Sequence, residues 1–124
     1  MPSPDLPATD TTPAVRFVAE RDLLRFEGES YPEDVTAFYS PLLEWLRPHL
    51  ATGRPLRVEL AFSYLNTSST KALLDLLLLL DEHHRHGGQV TVEWQYQANV
   101  EVMQEAGEEL GEDLALPFTL VPIS

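Results

Sequence analysis

The amino-acid sequence predicts an α/β fold: a single domain in which a mixed β-sheet of about four to five strands packs with three α-helices. Three observations carry this expectation. Apolar and polar residues alternate in "RPLRVELAFSYL" and "QVTVEWQY", the period of strands with one buried face. In "KALLDLLLLLDEHHRH" apolar residues recur at the three- and four-residue spacing of a helix. The two kinds of segment take turns along the chain, the order that lays helices on a sheet.

Taken in order, residues 1 to 13 hold Pro2, Pro4, Pro7 and Pro13 among small polar residues and have little to bury, which predicts a disordered lead-in to a folded domain over residues 14 to 124. Val15, Phe17 and Ala19 alternate in "AVRFVAE", and "DLLRFEGES" adds a second short apolar run, so the pair predicts a hairpin turning at Arg21-Asp22. Ser30-Tyr31-Pro32-Glu33 has the Ser-x-x-Glu form of a capping box, and Val35, Phe38, Tyr39, Leu42, Leu46 and Leu50 follow at helical spacing. A first helix is therefore predicted to about residue 50. Pro41 and Pro48 lie inside it on one face, and each removes a backbone donor, so a kink or break is expected there.

Leu56, Val58, Leu60, Phe62 and Tyr64 then form the apolar face of a strand. A second helix is predicted from about Ser69 to His86, with Ala72, Leu73, Leu76, Leu77 and Leu80 inward, and "HHRHGG" supplies the basic last turn and glycine cap. A strand through Val90, Val92, Trp94 and Tyr96 follows, then a shorter helix through Val100, Met103, Ala106 and Leu110. The closing run "LPFTLVPI" suits an edge strand, where prolines are tolerated.

Composition narrows the function. The 124-residue chain has 20 acidic and 8 basic side chains and a net charge of -12, which disfavours nucleic acid or an anionic membrane as partner. It has no cysteine, hence no disulfide, thiolate metal site or Cys nucleophile. The N-terminus lacks the basic and apolar regions of a signal peptide, and the run Leu73 to Leu80, interrupted by Asp75, falls far short of the ~20 apolar residues of a spanning helix. A cytoplasmic protein is expected. No Gly-rich phosphate loop, Ser-His-Asp order or His-Glu metal motif is present, so neither enzyme activity nor a cofactor is predicted. His83, His84 and His86 diverge around a helix end rather than converging as metal ligands, and Glu105, Glu108, Glu109, Glu112 and Asp113 form the charged face of a surface helix.

One segment stands apart. Asn66-Thr67-Ser68-Ser69-Thr70 places an asparagine and four hydroxyls between a strand and a helix. An N-cap needs one such side chain, which leaves most of the run unexplained, and Lys71 in the first turn opposes the helix dipole unless an anion sits nearby. A phosphate on one hydroxyl would be that anion, meeting free backbone amides, the positive end of the dipole and Lys71, without unfolding the domain.

"FEGESYPEDVTAFYSPLLEWL", "FSYLNTSSTKALLDLL", "VTVEWQY" and "EAGEEL", in this order and spacing, resemble the SiaC-type regulatory phosphoproteins of bacteria over about residues 15 to 121. The resemblance implies a STAS-like domain that works as a non-enzymatic partner switch. In members of that family a serine/threonine kinase phosphorylates a threonine in the Asn-Thr-Ser-Ser motif and a PP2C-type phosphatase removes the phosphate, and the resemblance implies that this threonine is Thr67. The resemblance further implies that the unphosphorylated form binds and stimulates a diguanylate cyclase, raising cyclic-di-GMP and promoting biofilm growth. Ser68 and Ser69 stand as alternative phosphosites, and Asn66, Ser68, Ser69 and Lys71 as the phosphosite surroundings that meet a partner. In the stretch Gln95 to Val100 the chain is neutral where the family is commonly acidic. Two other functions fit the same residues: a STAS-like anti-sigma-factor antagonist, and a small-ligand or anion-binding domain in which Thr67 to Lys71 cradles a phosphate.

Overall fold

The computed structural model describes residues 2–124. Its elements follow as β1 (Asp5–Leu6), β2 (Ala14–Val18), β3 (Leu23–Ser30), α1 (Val35–Ala51), β4 (Leu56–Leu65), α2 (Thr67–Arg85), β5 (Val90–Gln97), α3 (Glu101–Gly111) and β6 (Phe118–Ile123). The strands lie side by side in chain order. β1, β2 and β3 are antiparallel, whereas β3 through β6 are parallel. Each parallel step passes through one helix, and right-handed crossovers between adjacent strands all fall on the same side of a sheet. The result is one helical layer on one sheet, the mixed α/β architecture that the alternating periods predict.

The sheet has six strands rather than four to five, and the additional one lies in the segment expected to be disordered. Asp5 and Leu6 pair with Arg16 and Val15. The Phe17 amide donates to the Pro4 carbonyl at 3.0 Å, and the Tyr31 amide donates to the Thr11 carbonyl at 2.8 Å. Pro4 and Pro13 are buried. A two-residue strand is too short to show a period, and its prolines are no obstacle at a sheet edge.

The β2–β3 hairpin turns where predicted, through a 3₁₀ turn at Ala19–Arg21 and Asp22 in the left-handed region at φ 48°. The start of α1 differs from the expectation. Ser30 is the last residue of β3, and the helix is capped by Asp34, whose carboxylate accepts the Ala37 amide at 3.0 Å. The Ser-x-x-Glu pattern is therefore a coincidence of the strand end. Pro41 and Pro48 are accommodated within a single 17-residue helix, both on its exposed side.

One core joins the layers: Phe26, Val58, Leu60, Phe62, Val92 and Trp94 from the sheet meet Leu42, Leu46, Leu73, Leu77, Met103 and Leu110 from the helices. Apolar burial of this kind contributes roughly 25 cal/mol per Å². Trp94 donates its indole N–H to the Met103 carbonyl at 2.9 Å, and Gly107 lets α3 close on the ring, since a Cβ there would lie 2.5 Å from Trp94 Cδ1. The buried Asp81 of α2 accepts the amides of Ala115 and Leu116 at 2.7 and 2.9 Å and pairs with Arg85 at 2.7 Å, tying the approach to β6 onto the helix.

Among the described residues, no helix covers the other sheet face. There Glu59 is buried between Arg25 and Arg57, each 2.9 Å away, and Arg57 also reaches Glu93 at 3.0 Å. Gln95, in the neutral stretch, accepts from Arg25 at 3.0 Å and donates to Glu93 at 2.9 Å. An uncharged side chain thus links a cation to an anion on this face.

Candidate functional site

The parallel strands β3 and β4 end at Ser30 and Leu65, and α2 starts at Thr67 after the single intervening residue Asn66, two residues before the predicted Ser69. Asn66 is the cap: its side-chain oxygen accepts the Ser69 amide at 2.9 Å, and its carbonyl accepts the Thr70 amide at 2.9 Å. The Asn66 amide in turn donates to the Ser30 carbonyl at 3.1 Å, binding the cap to the end of β3. As first- and second-position residues of the helix, Thr67 and Ser68 have amides with no intrahelical acceptor.

The four hydroxyls that the sequence presents as one run have separate fates. Ser69 points inward and is 0% exposed. Thr70 donates its hydroxyl to the Asn66 carbonyl at 2.9 Å, and the exposed Ser68 leans on the Asn66 side-chain oxygen at 3.4 Å. Thr67 is exposed and, among the described residues, its hydroxyl has no hydrogen-bond partner.

Beneath the turn lies a buried chain that sequence reasoning missed. Ser30 donates its single hydroxyl proton to Ser69 Oγ at 2.9 Å, so the 2.7 Å contact with Tyr39 has the phenol donating to Ser30 Oγ. Ser30 is 0% and Tyr39 2% exposed. Burial pushes the Tyr39 phenol up, and the serine hydroxyls pull it only part of the way back. The chain joins β3, α1 and α2. A tyrosine at helical spacing looks apolar in sequence, and nothing local in it announces a partner on another element.

The outward face of α2 is the second feature. Thr67, Lys71, Leu74 and Leu78 fall at i, i+4, i+7 and i+11, one stripe of the helix turned away from the sheet. Leu74 and Leu78 remain 38% and 49% exposed. Lys71 is exposed and forms no ion pair among the described residues. On the sheet side of the same end, Tyr31 and Tyr64 stack edge to face at 5.7 Å, 37% and 50% exposed. Leu74 and Leu78 were legible only as departures from the buried period, whereas Tyr64 follows the apolar alternation of β4 and is nonetheless exposed, because it lies at the strand's open end.

The remaining candidates do not assemble a site. Among the described residues no group of three or more His, Asp or Glu is placed to hold a metal. The acidic residues of α3 and its C-terminal turn are exposed. A cavity of about 270 Å³ between α1 and α2 includes Lys71 and Asp75 in its wall but not Thr67. A larger one, about 480 Å³, lies at the opposite end of the parallel strands, beside Leu56 and Val90. No helix among the described residues is long and apolar enough to cross a membrane.

Comparison with known proteins gives this geometry its setting. Apo-SiaC from Pseudomonas aeruginosa superposes with a TM-score of 0.88 at 36% identity, over 97% of this chain and 98% of that one. A second structure, the diguanylate cyclase SiaD of Pseudomonas aeruginosa in complex with its activator SiaC, contains a chain matching at TM-score 0.88 and 38% identity, with 93% and 95% covered. An uncharacterized protein of Pseudomonas aeruginosa strain UCBPP-PA14 is 39% identical over 116 residues, 93% of this chain and 92% of the relative. The family model for SiaC family regulatory phosphoproteins matches residues 6–123, and the chain belongs to that family.

Proposed function

We propose that this protein is a non-enzymatic, phosphorylation-controlled partner switch that binds and stimulates a diguanylate cyclase. In this reading unmodified Thr67 leaves the outer stripe of α2 open to the cyclase, raising cyclic-di-GMP and favouring biofilm growth. A serine/threonine kinase closes the surface by phosphorylating Thr67, and a PP2C-type phosphatase reopens it. All of these partners meet the protein in the cytoplasm.

The observation that carries the reading is the position of Thr67: a hydroxyl without a hydrogen-bond partner among the described residues, on the first turn of a helix whose outward stripe continues into Leu74 and Leu78. A phosphate there adds about -1.5 to -2 charges at pH 7. The helix dipole, the amides of Thr67 and Ser68 and Lys71 all lie where they can receive that charge, so the fold tolerates it. A partner that covers the apolar stripe would have to desolvate it, which is how modification excludes binding. The cyclase complex formed by the related SiaC supports the choice of partner.

The test is titration of the purified diguanylate cyclase from the same bacterium with the unmodified protein, Thr67→Ala and Thr67→Asp, reading both binding and cyclic-di-GMP synthesis. The unmodified protein and Thr67→Ala should bind and activate, and Thr67→Asp should do neither. Equal activation by all three refutes the switch.

A further inference from the structure

We infer that the buried Tyr39–Ser30–Ser69 hydroxyl chain is a specificity device, which confines phosphorylation to the outer edge of the α2 first turn by holding Ser69 inside. This rests on the phospho-switch reading above and adds what selects its site.

The motif offers neighbouring hydroxyls of similar chemistry, and a kinase docked at the helix end meets them within one turn. What separates them is structural. Ser69 is held by its amide to Asn66 at 2.9 Å and by its side chain to Ser30 at 2.9 Å, while Ser30 is itself held by Tyr39 at 2.7 Å. The Ser30 carbonyl also accepts the Asn66 amide, at 3.1 Å, so one residue secures both the cap and the third helical position. Rotating the first turn to present Ser69 would break these bonds together and strand buried hydroxyls without partners. Phosphoryl transfer to Ser69 therefore requires local opening of the turn, and its rate follows the population of that open form. Ser30 and Tyr39 act here as positioning residues; neither is reached by a kinase.

The test maps phosphate by tandem mass spectrometry on protein purified from the bacterium that encodes it, as wild type, Ser30→Ala and Tyr39→Phe. Circular dichroism verifies that each variant is folded. Tyr39→Phe keeps the ring in the core and serves if Ser30→Ala fails to fold. The readout is the ratio of phosphate at Ser69 to phosphate at Thr67, which a uniform loss of stability or expression does not move.

Wild type should carry phosphate at Thr67, and the variants should raise the Ser69 share on the order of tenfold, as expected for lost buried hydrogen bonds. Folded variants with the wild-type ratio overturn the inference while the switch stands. So does a wild type modified chiefly at Ser69. Phosphate absent from residues 67 to 69 in all forms overturns the switch, and the inference with it.

Discussion

Ser30 and Ser69 lie 39 positions apart in the chain and share a 2.9 Å hydrogen bond closed off from solvent. Removing Ser30 takes from the buried Ser69 hydroxyl and Tyr39 phenol the partner they share. Ser30→Ala should therefore destabilise by about 1–3 kcal/mol in urea unfolding. The Ser30→Ala/Ser69→Ala double variant should lose less than the sum of the single losses, and strict additivity would mean that the bond contributes nothing.

The Asn66 cap yields a smaller expectation. Asn66→Ala removes the acceptor of the Ser69 amide, and should cost about 1 kcal/mol. Asn66→Asp retains an acceptor and adds negative charge at the helix start, so it should recover most of the loss. A urea midpoint unchanged by Asn66→Ala would remove the cap from the account of the site.

On the outward stripe, stability and binding should separate. Leu78 is half exposed and contributes little to the core, so Leu78→Lys should change unfolding free energy by no more than about 0.5 kcal/mol. If this stripe receives the cyclase, the same variant should weaken binding about tenfold, as loss of a central apolar contact does. Calorimetric titration showing wild-type affinity would place the docking surface elsewhere.

Asp81 predicts a pH dependence. Burial opposes its ionisation, but Arg85 and the Leu116 and Ala115 amides overcome that and hold its carboxyl below the ordinary 3.8. Since the folded value is depressed, the unfolded chain binds the extra proton in the window between the two values. The contribution is thus fully present above about pH 4 and is lost as pH falls through the folded value. Asp81→Asn should lower stability at neutral pH and flatten the acid limb of a plot of urea midpoint against pH. Parallel curves for the two proteins would contradict this.

Packing of α3 gives the last prediction. A methyl at residue 107 would sit 2.5 Å from Trp94 Cδ1, on a ring already fixed by its bond to Met103. Gly107→Ala should cost about 1–3 kcal/mol through overpacking, with a shift in tryptophan fluorescence. Wild-type stability would show that α3 can slide along the sheet.

What could be read in the sequence follows from how local its cause is. The alternation of Leu56 to Phe62 and the helical spacing of Leu73 to Leu80 are signals within single elements, and both were legible. β1 was not, because two residues carry no period and their pairing depends on Arg16 and Val15 in the next strand. Ser30 was misassigned because a capping box is a local pattern, whereas the choice between strand end and helix cap was made by its distant partners Tyr39 and Ser69. At the site itself, residue type and position marked the run Asn66 to Thr70, while Thr67 was singled out within it by the family resemblance. The inward turn of Ser69 could not, since it depends on where the helix begins and on which elements lie below it.

The strand order has a consequence for how this molecule comes into being. Each strand neighbours its predecessor and successor in the chain, so the sheet can grow outward in the order of synthesis, without reserving a gap for a later strand. Ser30, Tyr39, Asn66, Thr67 and Ser69 all precede β5. The parts of the helix-end site can therefore meet on the ribosome while β5, α3 and β6 are still to be made, leaving the final strands to cover the core beside a site already assembled.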